Sequence, residues 1–178
     1  EDAMIALVER IEADVAPIDV AVFNIGANVR FPITETTARV YHKVWEMACF
    51  SGFLMGREVA KKMLTRDHGT IIFTGATAST RGREHLAAFA GAKAALRALA
   101  QSMARELGPK NIHVAHTIID GAIDSNFIRE NVPNVDALRD EDAVLNPDHI
   151  AQNYVMLHKQ PRTAWTHELD LRPWKETW

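Results

Sequence analysis

Stretches of helical spacing alternate with short β-branched runs along the 178 residues, and this alternation constrains the fold more than any other feature. Met4, Ile5, Leu7, Val8, Ile11 and Val15 recur on one helical face, opened by Glu1 and Asp2 and stopped by Pro17. Val20-Ala21-Val22-Phe23 follows as a short continuous apolar run, the pattern of a strand buried on both faces. After Asn24-Ile25-Gly26-Ala27-Asn28 and Pro32 the pattern predicts one long helix from about Glu35 to Arg66. Thr70 to Thr74 reads as a second strand, the small residues Gly75 to Thr80 as a loop, and about Glu84 to Leu107 as an Ala- and Leu-rich helix closed by Gly108-Pro109. Ile112 to Ile119 is a third strand, broken by Asp120-Gly121. Residues 122–146 read as a long loop with one or two helical turns, and Asn146-Pro147 as the cap and first residue of a helix to about Lys159. Thr166 to Leu171 is the last strand. Such an order predicts an α/β fold, a doubly wound parallel sheet with helices on both faces.

Composition excludes several classes of function. With 47% hydrophobic residues the chain can bury one core, so a single domain over 1–178 is expected. A net charge of −3 with scattered Lys and Arg argues against nucleic acid as a partner. No apolar run approaches the roughly 20 residues of a membrane helix, so no membrane partner is expected either. Cys49 is the only cysteine, which fits a reducing cytoplasm. The eight histidines show no metal-ligand spacing, and no metal is expected. The opening Glu1-Asp2-Ala3-Met4 runs straight into amphipathic helix and reads as the interior of a longer chain.

Five segments, in order, resemble the short-chain dehydrogenase/reductase family. Val22-Phe23-Asn24-Ile25-Gly26 resembles the family's Asn-Asn-Ala-Gly strand end, and Gly69 to Gly82 the stretch past its catalytic serine. Leu86 to Leu96 resembles the helix that carries Tyr-x-x-x-Lys. Arg105-Glu106-Leu107-Gly108 with Ile112-His113-Val114 is similar to the passage into the sixth strand, and Asp120 to Ser125 to the turn beside the nicotinamide. The resemblance implies an incomplete Rossmann-type sheet, strands four to seven of the family fold, without the Gly-rich turn that holds the pyrophosphate. It implies NAD or NADP as cofactor, hydride transfer with a small-molecule alcohol or carbonyl substrate, and a homodimer or homotetramer built on the two long helices; Ala88, Ala92, Ala95 and Ala98 stand either at that contact or against the protein's own sheet.

By the same resemblance Lys93 is the motif lysine, expected to act in catalysis and to contact the nicotinamide ribose, while the tyrosine position holds Phe89 and the serine position Ala76. The family's asparagine falls at Ala48 or Cys49. Asn24, Gly26, Lys93, Gly121 and Ile123 are the expected cofactor-binding residues. Thr74, Thr77, Ser79, His85 and Asp120 border the expected cleft. Of these, Thr77 is next to the serine position and His85 stands four residues before Phe89 at the expected helix start, which makes both candidates for a substitute proton donor. Two readings stay open: an NAD(P)-dependent oxidoreductase, and a catalytically silent dinucleotide-binding or scaffold protein that keeps the fold. An α/β hydrolase or methyltransferase is set aside because no Gly-x-Ser-x-Gly or triad order occurs.

No Gly-x-x-x-Gly-x-Gly occurs in the chain, so these 178 residues are expected to hold a nicotinamide dinucleotide weakly. Several charge-assisted hydrogen bonds to phosphate, at about 1.5–3 kcal/mol each, would be lacking. Isothermal titration with NADH and NADPH checks this, and a dissociation constant near 1 μM (about −8 kcal/mol) would show the cleft to be sufficient as it stands.

Overall fold

Strand Ile112–Ile119 is buried at all eight positions, as its unbroken apolar and β-branched run requires of a strand covered on both faces. In the computed structural model, which describes residues 1–177, it lies inside a four-stranded sheet. The elements in chain order are α1 (Asp2–Asp14), β1 (Val20–Phe23), α2 (Ala38–Trp45), a π-helical turn (Glu46–Phe50), α3 (Ser51–Leu64), β2 (Gly69–Thr74), α4 (Ala87–Leu107), β3 (Ile112–Ile119), the short α5 (Asn126–Asn131) and α6 (Val135–Asp140), α7 (Pro147–Lys159) and β4 (Glu168–Leu171). The strands run β1-β2-β3-β4, all parallel, with Val20 opposite Thr70, Thr70 opposite His113, and His116 opposite Glu168. Ile71, Phe73, Ile112 and Val114 point to one face, where Val8, Val59, Met63 and Leu96 of α1, α3 and α4 close over them. Ile72 and Ala115 point to the other, against Leu157 and Tyr154 of α7. The fold is therefore a parallel α/β sheet covered by helices on both faces, as the alternation implies, and an incomplete Rossmann-type arrangement, as the resemblance implies.

Local signals explain the element ends. Thr37 caps α2 by accepting from Val40 N–H, and Asn146 caps α7 by accepting from Asp148 N–H, with Pro147 at the first helical position. The expected helix 35–66 is two helices joined by the π-helical turn, where Ser51 N–H reaches back to Glu46 O. The expected strand from Thr166 begins at Glu168, because Thr166 N–H is taken by Gln160 Oε1 at 2.7 Å. The expected helix from Glu84 begins at Ala87, since His85 has φ 63° and cannot be part of a right-handed helix.

One expectation about packing is corrected, and one alternative is decided for two residues. Within β1 only Phe23 is buried; Val20 and Val22 are 37% and 42% exposed, so the strand is covered on one face and not on two. It has β2 as its one neighbour, and the helices that pack on it do so from the Phe23 side. Ala88 and Ala92 of the small-residue stripe are buried against Val44, Ala48 and Cys49 of the same chain, whereas Ala98 is exposed. No helix among the described residues is long and apolar enough to cross a membrane.

On the α4 side of β3, His116 is wholly buried with Nδ1 3.1 Å from Glu168 Oε2, and Arg97 donates to both Glu168 oxygens at 2.6 Å. Burial pulls the imidazole down from 6.5 to about 4, more than the carboxylate beside it restores. Between those values the unfolded chain holds a proton that the native state refuses, so stability falls as pH drops from about 6.5 to about 4. The loss should reach about 3 kcal/mol. Urea melts at pH 7 and 4.5 should show this loss, and His116→Gln should remove much of it.

Candidate active site

Parallel strands end on the same side of a sheet, and here the carboxyl ends of β1, β2 and β3 open a cleft of about 490 Å³. Asn24, Ile25 and Gly26 enter from the end of β1, Thr74 to Ala78 from β2, and Gly121, Ala122, Ile123 and Ser125 from β3. Helix α4 supplies Phe89 and Lys93 as the floor. All five expected cofactor residues, Asn24, Gly26, Lys93, Gly121 and Ile123, line this one cleft. A larger cavity of about 670 Å³ lies among α6, α7 and the end of β4. Its Asp124 is already paired with Arg129 and Arg139, and none of the five residues reaches it.

Lys93 is 3% exposed, and its Nζ donates to Ile25 O at 3.0 Å and Thr74 O at 2.8 Å. Two strand ends and one helix therefore meet at a single ammonium. Burial lowers its pKa from 10.5 to about 8. Phe89, one turn earlier on α4, holds its ring centroid 5.8 Å from Nζ. Ala76 lines the cleft with a methyl group, and its N–H donates to the buried Ser79 Oγ at 3.0 Å, which turns the serine toward its own loop. Ala48 and Cys49 fall in the π-helical turn and pack behind Phe89; burial pushes the Cys49 thiol up, away from reactivity.

Behind the cleft stands Asp120, 1% exposed at the end of β3. Thr77 Oγ1 donates to its Oδ1 at 2.5 Å, Arg81 Nη2 reaches both oxygens at 3.1 and 3.2 Å, and Arg172 Nη2 stands 3.5 Å away. The Thr77 proton is therefore committed to a carboxylate. His85 is exposed, lies before α4 and does not line the cleft; its carbonyl accepts from Phe31 N–H at 2.9 Å. Gly121 has φ +150°, and a Cβ there would stand 2.7 Å from Pro173 Cδ, so the terminal segment can pack down on this turn only because the residue is glycine. Gly75 is similarly constrained, because a Cβ would strike the His116 ring beneath it. Among the described residues no group of three or more His, Cys, Asp or Glu is arranged to hold a metal ion.

Sequence reasoning missed four charged groups of the cleft: Arg30, Arg81, Arg83 and Glu176. Arg81-Gly82-Arg83, directly after the small-residue loop, was the available signal.

Comparison with known proteins places this geometry in a context. A family model described as short chain dehydrogenase matches residues 1–136. The 2-dehydro-3-deoxy-D-gluconate 5-dehydrogenase of Pseudoalteromonas atlantica is 31% identical over 140 residues, 79% of this chain and 52% of that protein. The 5-keto-D-gluconate 5-reductase of Escherichia coli is 35% identical over 109 residues, 61% of this chain and 43% of that protein. The chain spans about half the length of the curated relatives it matches. Among solved structures, a short-chain dehydrogenase from Rhodopseudomonas palustris superposes with a TM-score of 0.80 at 50% identity, covering 97% of this chain and 70% of that one.

The Asp120 cluster gives a stability prediction. Asp120→Ala leaves Arg81 and Arg172 beside a buried hole and should cost about 3 kcal/mol, whereas Thr77→Val, which removes one hydrogen bond, should cost about 1 kcal/mol. Chemical denaturation of both variants checks the ratio.

Proposed function

The chain belongs to the short-chain dehydrogenase family, and from that premise we propose that it serves an NAD- or NADP-dependent oxidoreductase acting on a small alcohol or carbonyl compound. The observation that carries the reading is Lys93, a buried ammonium at the floor of a cleft at the strand ends. A nicotinamide and its ribose fit the residues present: Gly26 has open space where a side chain would stand, and Gly121 and Ile123 form the opposite wall. When bound, the nicotinamide supplies or accepts the hydride. Asn24 and Gly26 would bound its pocket from β1 and the 121–123 turn from β3, with Lys93 at its floor.

Lys93 also has a proton to give. Two of its three N–H bonds are spent on Ile25 O and Thr74 O, and the third is free for a ligand oxygen. With a pKa of about 8 the group is protonated at neutrality yet acidic enough to transfer. In carbonyl reduction the Nζ–H bond breaks as the new O–H bond forms, and water reprotonates the amine. Phe89 has no proton to offer and serves as an apolar wall beside the ammonium. The gluconate-type relatives make sugar acids the first compounds to assay.

Phe89 and Ala76 favour a second reading, a silent dinucleotide-binding scaffold. A homodimer or homotetramer is proposed on α2, α3 and α4, and Tyr41 and Trp45 of α2 are exposed. A reducing cytoplasm suits the single buried Cys49.

Steady-state reduction of a carbonyl panel by the purified native protein tests the reading. Turnover should fall as pH rises through about 8. Lys93→Met should lower it by about 10²–10⁴-fold, and Phe89→Tyr with Ala76→Ser should raise it by a comparable factor. Cofactor binding without turnover on any substrate would decide for the scaffold.

A further inference from the structure

The charges of the cleft are unevenly committed. Arg81 is spent on Asp120, and Lys93 is held at the floor by two carbonyl oxygens. The remaining cations, Arg30 and Arg83, stand at the mouth. Arg30 is exposed and makes no hydrogen bond or ion pair among the described residues. Arg83 is 55% exposed, and its ion pair with Glu176 Oε1 is long, at 3.8 Å, beyond hydrogen-bonding distance. The arms that carry these arginines are fastened together by the hydrogen bond from Phe31 N–H to His85 O. Between mouth and floor the walls are apolar, with Ile25, Leu86, Phe127 and Ile128.

From this arrangement we propose that Arg30 and Arg83 form the carboxylate-recognition site for the substrate, so that the substrate class is a small carbonyl or hydroxy compound with a carboxylate at the end remote from the reacting oxygen. The inference rests on the oxidoreductase reading of the floor and names what that reading leaves open. Two guanidinium groups offer paired N–H donors in the geometry a carboxylate accepts, and a cleft with apolar walls strengthens their attraction for an anion. The chain's own carboxylate shows the preference already. Among the described residues Glu176 is the one acidic residue lining the cleft, and it is paired with Arg83 at 3.8 Å. Its segment is anchored elsewhere, by Pro173 against Gly121 and by Lys175 on Glu141. Glu176 thus holds the position loosely, and an incoming carboxylate able to make direct hydrogen bonds displaces it. An uncharged polyol has nothing to exchange for that contact.

Isothermal titration of the purified native protein with D-gluconate and with D-glucitol, which share a carbon chain and differ at the carboxylate, tests the proposal. Gluconate should bind at least about tenfold more tightly, as charge-assisted hydrogen bonds to a carboxylate imply. Arg83→Gln and Arg30→Gln should each remove most of that preference and leave glucitol binding unchanged. Glu176→Gln should tighten gluconate binding, because it removes the competing carboxylate; a purely structural role for these surface residues would not have that effect. Equal binding of the two compounds, binding of neither, or equal weakening of both by the arginine variants would overturn the proposal. The two readings fail separately. Reduction of neutral and acidic carbonyl compounds at equal kcat/KM sinks the carboxylate site and leaves the oxidoreductase. Selective gluconate binding that depends on both arginines, without hydride transfer to any carbonyl, sinks the oxidoreductase and leaves an acid-binding cleft.

Discussion

A buried ammonium must be hydrogen-bonded or lose its charge, and the way Lys93 meets that requirement organises the cleft. Its partners are the carbonyl oxygens of Ile25, just past β1, and Thr74, the last residue of β2. Both carbonyls lie at strand ends, where the sheet ladder no longer supplies donors. The same two bonds therefore satisfy the lysine, satisfy two orphaned acceptors and fix the spacing between the ends of adjacent strands. The floor is rigid for that reason, and α4 is held in register with the sheet from its first turns onward.

Asp120 does for the far wall what Lys93 does for the floor, with the charges reversed. A buried carboxylate at the end of β3 collects Thr77 and Arg81 from the loop after β2 and Arg172 from the residue after β4. One group thereby joins the ends of three strands. Burying a charge so thoroughly is costly unless several donors meet it, and the donors come from segments 39 and 43 residues away in sequence. Thr77 loses its availability as a proton donor in the process, and a residue beside the serine position becomes a structural tie.

These contrasts show where the sequence was legible. Strands β2 and β3 were readable because β-branched runs stood between turn residues, and helix α7 because Asn146-Pro147 announces its start. The five residues expected to bind cofactor fall in one cleft, as motif order implied. The one-sided burial of β1 was not legible, since a continuous apolar run reports its own hydrophobicity and not the number of layers that cover it. The π-helical turn left no mark because Glu-Met-Ala-Cys-Phe contains no breaker, and an extra residue in a helical turn changes hydrogen bonding without changing composition. Arg30 and Arg83 read as surface charge. What makes them a pair is a loop-to-loop hydrogen bond at His85, whose positive φ no periodicity encodes.

The acid–base character of the cleft and its surroundings turns on a comparison between two buried bases. His116 lies beneath Gly75 and Lys93 bonds Thr74 O, so both adjoin the end of β2, and desolvation is the leading cause in each case; it lowers the imidazole from 6.5 to about 4 and the ammonium from 10.5 to about 8. The displacements are nearly equal, so the outcome is set by the starting values. At neutral pH the histidine has lost its proton and fills space beneath Gly75 as a neutral ring, whereas the lysine keeps its proton and is acidified by the same physics. A histidine at the lysine's position would be uncharged, with nothing to donate to a forming alkoxide at pH 7. An exposed lysine would be charged but a poor acid. A lysine buried this deeply combines the two properties, so the phenyl ring at Phe89 does not by itself empty the cleft of acid–base chemistry.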